Sequence, residues 1–209
     1  MLIIGLTGSI AMGKSSACKY LAGKGLPVWS ADQSVHELYS GQAALLIEAV
    51  FPGTTNEYGV DRQLLSKYLM AYPRAMGELE AIIHPLVERE RNAFINQHLE
   101  EGSATIILDI PLLLEKGFEE KVDVILLVTA PMDVQKERVL QRPGMSDEKY
   151  AMIRSHQMDD GEKREKADYV VDTSGSFEQT HERLDSFLES LHDWPQKAAE
   201  RMRDKNPIQ

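Results

Sequence analysis

The string Gly8-Ser9-Ile10-Ala11-Met12-Gly13-Lys14-Ser15 constrains this chain more than any other part of it. It satisfies G-x-x-x-x-G-K-S/T, comes directly after the apolar run Leu2 to Leu6, and leads into a helical pattern from Lys14 to Ala22. A strand, such a loop and a helix in that order form a cradle for phosphate. Gly8 and Gly13 permit backbone conformations that a side chain would obstruct, so successive N–H groups converge on an anion at a helix N-terminus. In this arrangement Lys14 reaches the β- and γ-phosphates of a nucleoside triphosphate such as ATP, and the Ser15 hydroxyl is placed for Mg²⁺. The loop names a ligand class and leaves open what is done with it.

Further apolar, β-branched runs recur at Leu26 to Trp29, Thr105 to Leu108, Val124 to Thr129 and Tyr169 to Val171, with helical patterns between most of them. This alternation predicts an α/β fold, a parallel sheet covered on both faces by helices. Ala130-Pro131 opens one helix through Leu140, and Phe177, Leu184, Phe187, Leu188 and Leu191 mark the apolar stripe of the last. The rhythm breaks over residues 43–101, which carry helical periodicity and almost no strand signal, and so read as an α-helical insertion. Within it Leu79, Ile82, Ile83, Leu86, Val87, Phe94, Ile95 and Leu99 share one face, while Glu80, His84, Glu88 and Arg91 lie nearer the other. Pro85 is expected to kink that helix or to start a new one. The predicted organisation is a single domain with core 1–42 and 102–195, insertion 43–101, a lid at about 138–165 and a polar tail 196–209.

Composition narrows the function classes. The 209 residues carry 23 Lys and Arg against 33 Asp and Glu, a formal charge of −10, so the molecule repels polyanions at long range and is not expected to bind nucleic acid. No apolar run reaches membrane-spanning length, the N-terminus lacks the features of a signal peptide, and the single cysteine, Cys18, permits no internal disulfide. A cytoplasmic monomer without membrane contact is the expectation.

A loop of this type serves GTP switches, ATPases and small-molecule kinases. Switches carry N/T-K-x-D late in the chain, but here the nearest string is Glu165-Lys166-Ala167-Asp168. The only D-x-x-G string, Asp172-Thr173-Ser174-Gly175, comes after the last strand and is misplaced for a γ-phosphate sensor. A kinase needs an acceptor hydroxyl in line with the γ-phosphate, a carboxylate beside that hydroxyl, and cations on the migrating group. Asp32 lies just beyond the Leu26 to Trp29 run and so falls on the carboxyl edge of the sheet, where it either deprotonates an acceptor or caps the helix that begins there. Asp109, at the end of Thr105 to Leu108, is either a Mg²⁺-supporting acid or a turn acid before Pro111. Gln135, Arg138 and Arg142 share a helical face beside the Pro143-Gly144 turn, and read either as a phosphate-closing lid or as a solvated face. His36 and His84 lack metal-site spacing, and Cys18 reads as a small core residue.

Together these residues resemble the dephospho-coenzyme A kinase family. The resemblance runs from Ile4-Gly5-Leu6-Thr7-Gly8 and Gly13-Lys14-Ser15 through Val28-Trp29-Ser30-Ala31-Asp32, Asp61-Arg62 and His84-Pro85. It continues in Ile110-Pro111-Leu112-Leu113-Leu114-Glu115, Gln135 to Arg142, Gln157 with Lys163, and Ala167-Asp168-Tyr169-Val170. It implies a three-layer α/β/α fold of the P-loop NTPase type, with a five-stranded parallel sheet, a helical substrate-binding insertion and a small lid. The implied reaction moves the γ-phosphate of ATP to the ribose 3′-hydroxyl of dephospho-coenzyme A, with Mg²⁺, in the last step of coenzyme A synthesis. By the same resemblance Lys14 and residues 8–16 (Gly8, Ser9, Ile10, Ala11, Met12, Gly13, Ser15, Ser16) hold ATP, and Asp32 is the acid at the acceptor. Arg138 and Arg142 take the lid positions, and Arg62, His84, Pro85, Leu112, Leu113 and Glu115 fall near the acceptor; Ser15 and Asp109, from the loop and strand-end reading above, are the candidate metal ligands. A nucleoside or nucleotide kinase, or an ATP-binding protein weakened in catalysis, are the rival readings.

Three positions depart from the family pattern. Ser30 stands where a second acid is usual, and Ser16 replaces Thr without expected consequence. Ala11 replaces a frequent Gly, which is tolerable at negative φ and costs about 1 kcal/mol or more at positive φ.

Overall fold

The computed structural model describes residues 1–72 and 74–194. The expected tail at 196–209 lies outside the described residues. The five apolar runs become β1 (Leu2–Thr7), β2 (Val28–Ser30), β5 (Thr105–Asp109), β6 (Val124–Thr129) and β7 (Tyr169–Asp172), in one sheet of order β2-β5-β1-β6-β7. β1 pairs in parallel with β5, Leu6 opposite Asp109, and with β6, which pairs in parallel with β7. All six residues of β6 are buried, as an unbroken apolar run requires of a strand covered on both faces. The helices α1 (Lys14–Gly23), α6 (Met132–Leu140) and α9 (Phe177–Ser190) alternate with these strands, joined by α7 (Asp147–Ser155) and α8 (Asp160–Lys166). Ile4, Leu6, Leu126 and Val128 of the sheet pack with Ala17 and Leu21 of α1 and with Leu184 and Phe187 of α9.

Helix α9 starts where Ser176 and Gln179 form a reciprocal capping box, which satisfies two otherwise orphaned amides. Its buried stripe runs through Thr180, Leu184 and Phe187. Phe177, expected on that stripe, is instead 67% exposed. Periodicity marks a face of a helix but not how far along the axis the core extends.

The chain divides into two compact units: residues 1–28 with 104–194, and Trp29–Ser103. The second therefore begins 14 residues ahead of the 43–101 insertion expected from sequence, because Leu38 of α2 (Ala31–Ser40) packs into the core of the helical unit. That core joins Leu38 to Ala43 and Ile47 of α3 (Gln42–Val50), Phe51, Leu65 of α4 (Arg62–Ala71), and Ala75, Leu79 and Ile83 of α5 (Ala75–Glu100). Asp61 caps α4 by accepting from the amides of Gln63 and Leu64.

This unit departs from expectation or narrows it in three places. A small antiparallel hairpin, β3 (Thr55–Asn56) and β4 (Gly59–Val60), interrupts the helices. Its turn is local chemistry: Asn56 Oδ1 accepts from the Tyr58 amide at 2.8 Å, and Gly59 holds φ +111° where a Cβ would collide with the Tyr39 carbonyl. Second, of the two alternatives at Pro85 the start of a new helix is excluded, because α5 runs through it as one 26-residue helix. Proline removes one backbone hydrogen bond, and Leu79 and Ile83, buried in the unit's core just before it, hold the helix regardless. Third, Arg91 is buried, with its guanidinium 3.0 Å from Glu88 Oε1. It lies four residues after Val87 and eight after Ile83, so helical geometry puts it on the apolar face despite its charge.

Candidate active site

In the first unit the phosphate loop leaves β1 at Thr7 and enters α1 at Lys14. Gly8 passes so close to β6 that a Cβ would lie 2.6 Å from the Val128 carbonyl. Gly13 is the helix N-cap at φ +84° and faces the Thr173 side chain. Both glycines are thus required, one by contact and the other by conformation. Ala11 adopts φ +60°, the costly branch of the sequence expectation, at about 1 kcal/mol or more. Its burial in an apolar cluster with Val139 and Tyr150 offsets part of that. The Met12 amide closes a turn on the Ser9 carbonyl at 3.2 Å, while the amides of Ala11, Gly13, Lys14 and Ser15 donate to no acceptor among the described residues. Converging, unspent donors at a helix N-terminus are a site for a polyanion.

Lys14 Nζ lies 2.5 Å from Asp109 Oδ1 at the end of β5. The parallel register that sets Asp109 opposite Leu6 brings the acid beside the loop. Cys18, one turn beyond Lys14, lies against the same pair. Burial pushes its thiol up to about 12, helped by the Asp109 carboxylate and opposed by Lys14. The residue is therefore an inert core thiol.

Arg138 is not aimed at solvent. Its guanidinium donates to Thr173 Oγ1 at 3.1 Å and to the Thr173 carbonyl at 2.6 Å. Thr173 Oγ1 in turn stands 3.0 Å from the Met12 carbonyl and 3.2 Å from that of Thr129, so a single hydroxyl ties the phosphate loop to the ends of β6 and β7. Sequence reasoning passes over Thr173, since Asp172 to Gly175 reads there only as a misplaced switch string. A signal exists all the same: a small hydroxyl residue directly after a strand at the carboxyl edge of the sheet. Arg142 lies just past the end of α6 and is exposed.

Ile10 is held on both sides, its amide by Gln157 Oε1 at 3.2 Å and its carbonyl by Gln135 Nε2 at 2.9 Å. Glu115 accepts from the Met158 amide at 3.0 Å and lies 2.7 Å from the fully buried Lys163 Nζ, an ion pair whose angle falls short of a directed hydrogen bond. Leu112 is half-buried, whereas Leu113 is wholly buried and packs beneath Gly5 of β1. Leu113 is thus a supporting residue rather than a lining one, because it sits close enough to the sheet edge to turn back into the core.

The other candidates belong to the second unit. Asp32 is exposed in the first turn of α2, whose N-cap is Ser30, so the helix begins earlier than a capping role for Asp32 requires. Arg62 NH2 stands 3.1 Å from His36 Nδ1 and its guanidinium lies over the Tyr39 ring, 5.4 Å from the centroid. Burial raises the Tyr39 phenol above its ordinary value, with Arg62 opposing. His84 and Pro85 are exposed on α5, and His84 Nε2 reaches Glu80 Oε1 at 4.0 Å.

The sequence model of dephospho-CoA kinase matches residues 2–179. This chain belongs to the dephospho-CoA kinase family. A dephospho-CoA kinase of Brucella melitensis is 48% identical over 198 residues, covering 95% of this chain and 99% of that one. The dephospho-CoA kinase of Rhizobium meliloti is 47% identical over 191 residues, 91% and 98% of the two chains. Among solved structures, TT1252 from Thermus thermophilus superposes with a TM-score of 0.76 at 32% identity, covering 91% of this chain and 97% of that one. The Campylobacter jejuni dephospho-CoA kinase shares the fold at a TM-score of 0.69 and 24% identity, over 90% and 96%. Membership of the dephospho-CoA kinase family removes the switch reading. No described helix is long and apolar enough to cross a membrane.

Proposed function

We propose that this chain is a cytoplasmic, monomeric kinase that transfers the γ-phosphoryl group of ATP to the ribose 3′-hydroxyl of dephospho-coenzyme A. The observation that carries the reading is the set of unspent amides around Gly13, with Lys14 beside them, in a chain that the dephospho-CoA kinase family spans over residues 2–179.

In the proposed reaction the loop amides and Lys14 hold the triphosphate, so Lys14 exchanges Asp109 for phosphate oxygens when the donor binds. The Asp32 carboxylate accepts the proton of the 3′-hydroxyl. The alkoxide lone pair forms the new P–O bond as the bond between the γ-phosphorus and the β,γ-bridging oxygen breaks, and ADP leaves with that electron pair. The proton on Asp32 then passes to water. Arg142, exposed beyond α6, supplies positive charge to the equatorial oxygens, while Arg138 acts through Thr173 on the loop.

The donor set also suits Mg²⁺. No group of three or more metal-binding side chains occurs among the described residues. Ser15 and Asp109 would supply two protein oxygens, a number appropriate to an ion that takes most of its ligands from phosphate and water. When bound, it neutralises charge on the β- and γ-phosphates. Ser30, replacing an acid upstream of Asp32, withholds one negative charge from the acceptor side.

The deciding experiment measures ATP consumption with dephospho-coenzyme A, with nucleosides and nucleoside monophosphates, and with no acceptor. Turnover confined to dephospho-coenzyme A is expected. Equal turnover on monophosphates would reassign the acceptor, and consumption without any acceptor at a similar rate would replace the kinase with an ATPase.

A further inference from the structure

The Ile10–Ala11 segment is the least expected part of the phosphate loop, since Ala11 sits at φ +60°, a conformation that ordinarily selects glycine. Something must hold it there. Two long-range contacts reach the preceding residue: Gln157 Oε1 accepts from the Ile10 amide at 3.2 Å, and Gln135 Nε2 donates to the Ile10 carbonyl at 2.9 Å. Gln135 is itself fixed, because the Tyr150 hydroxyl donates to its Oε1 at 2.8 Å in a buried contact. Tyr150 also shares one buried apolar cluster with Ala11 and Val139.

Peptide geometry carries these contacts into the anion site. In a trans peptide the C=O and N–H of one unit point in opposite directions, and all described peptide bonds are trans. Tying the Ile10 carbonyl to Gln135 therefore turns the Ala11 N–H the opposite way, where it donates to none of the described residues. The plane of that same peptide sets φ of Ala11. If it flipped, a carbonyl oxygen would take the place of a donor at an anion site, exchanging attraction for repulsion.

We propose that Gln135 and Gln157, backed by Tyr150, are positioning residues that lock the peptide ahead of Ala11 so that its N–H faces the triphosphate. The clamp joins the loop to α6, to α7 and to the segment that leads into α8, so three separate segments set one donor of the loop. It explains why an alanine is carried at this position: its methyl group joins the buried cluster of Val139 and Tyr150, and the clamp supplies the constraint that glycine would otherwise obviate. The inference rests on the reading of Gly8 to Ser15 as the triphosphate cradle.

The test is a titration of ATP, without acceptor, into the full-length protein, together with steady-state kinetics. Gln135→Leu removes both hydrogen bonds of the side chain, and is expected to weaken ATP about tenfold while the KM for dephospho-coenzyme A stays within about twofold. Combined with Ala11→Gly, the same substitution should weaken ATP by only about threefold, because glycine takes positive φ unaided. Equal weakening in both backgrounds, or parallel losses on both substrates, would assign Gln135 a merely structural role and overturn the proposal. Should Gln135→Leu fail to fold, Tyr150→Phe removes a single hydroxyl; about threefold weaker ATP binding is expected, and unchanged binding overturns the clamp. Lys14→Ala separates the two readings. Its loss of turnover beside unaffected clamp variants sinks only the clamp, and its full activity sinks the cradle and the clamp together.

Discussion

In the sheet-bearing unit Lys14 and Arg138 are each anchored, to Asp109 and Thr173, at the ends of parallel strands. In the helical unit Asp32, Arg62 and His84 lie at helix surfaces, and the contacts of Arg62 and His84 are to side chains of the same unit. The first arrangement orders its groups before any ligand arrives, so little is lost in immobilising them when a polyphosphate binds. The second keeps its polar groups at helix surfaces, and its order comes from the apolar core around Phe51 and Ile47. One unit thus fixes its charged groups through contacts at strand ends, and the other leaves them on helix surfaces over an apolar core.

The contrast can be broken most severely at Lys14. Lys14→Ala should lower kcat by about 10³ with the thermal midpoint nearly unchanged, and kinetics alongside a melting curve check it. Retained activity would end the account of the donor half. Nearly as large is the expected inertness of Cys18. With its thiol raised to about 12, the native protein should react with iodoacetamide at pH 8 about 10³ slower than the unfolded chain. The folded state holds this proton more tightly, so the thiol's contribution to stability is complete below the unfolded value near 9 and is lost as pH rises towards 12. Alkaline melts should show that decline, absent in Cys18→Ala.

The helical half should respond to loss of packing instead. Phe51, fully buried and edge-on to Tyr68 at 5.4 Å, should cost about 3–5 kcal/mol on replacement by alanine. ATP titration of that variant should remain near the parent value while the KM for dephospho-coenzyme A rises; equal weakening of both would show that the two units do not act separately. Asp32→Asn should reduce kcat about 10² with ATP affinity unchanged, since the substitution keeps shape and removes the base. An unaltered kcat would return Asp32 to the role of a first-turn helix acid. The smallest effect is expected at Phe177, where replacement by serine should shift stability by no more than about 0.5 kcal/mol because the ring is already in water.

The order and type of the main strands are readable because β-branched runs and the glycines of the loop act over a few residues. The same locality explains the misses. The Asn56 to Gly59 turn is a recognisable hairpin signal, but two-residue strands are too short for alternation to register. Charge alone puts Arg91 on the outer face of its helix, whereas its position relative to Ile83 and Val87 decides its burial. Of the candidate site, Lys14 and Asp109 are legible together as a loop and a strand-end acid. Arg138 is legible as a cation near the loop, but its partner Thr173 lies 35 residues away and carries no pattern of its own.

What the sequence determined by itself is the set of periodicities and turn residues that dictate a sheet, its crossover helices and an anion-binding loop, since each depends on spacing within a turn or a strand. Only the tertiary structure decided that Ala11 is held at positive φ, that Gln157 reaches Ile10 across 147 residues, and that Glu115 is committed to Lys163. Those contacts have no local signature, because a hydrogen bond between distant segments exists only after packing has brought the segments together and removed water from the polar groups that must then find one another.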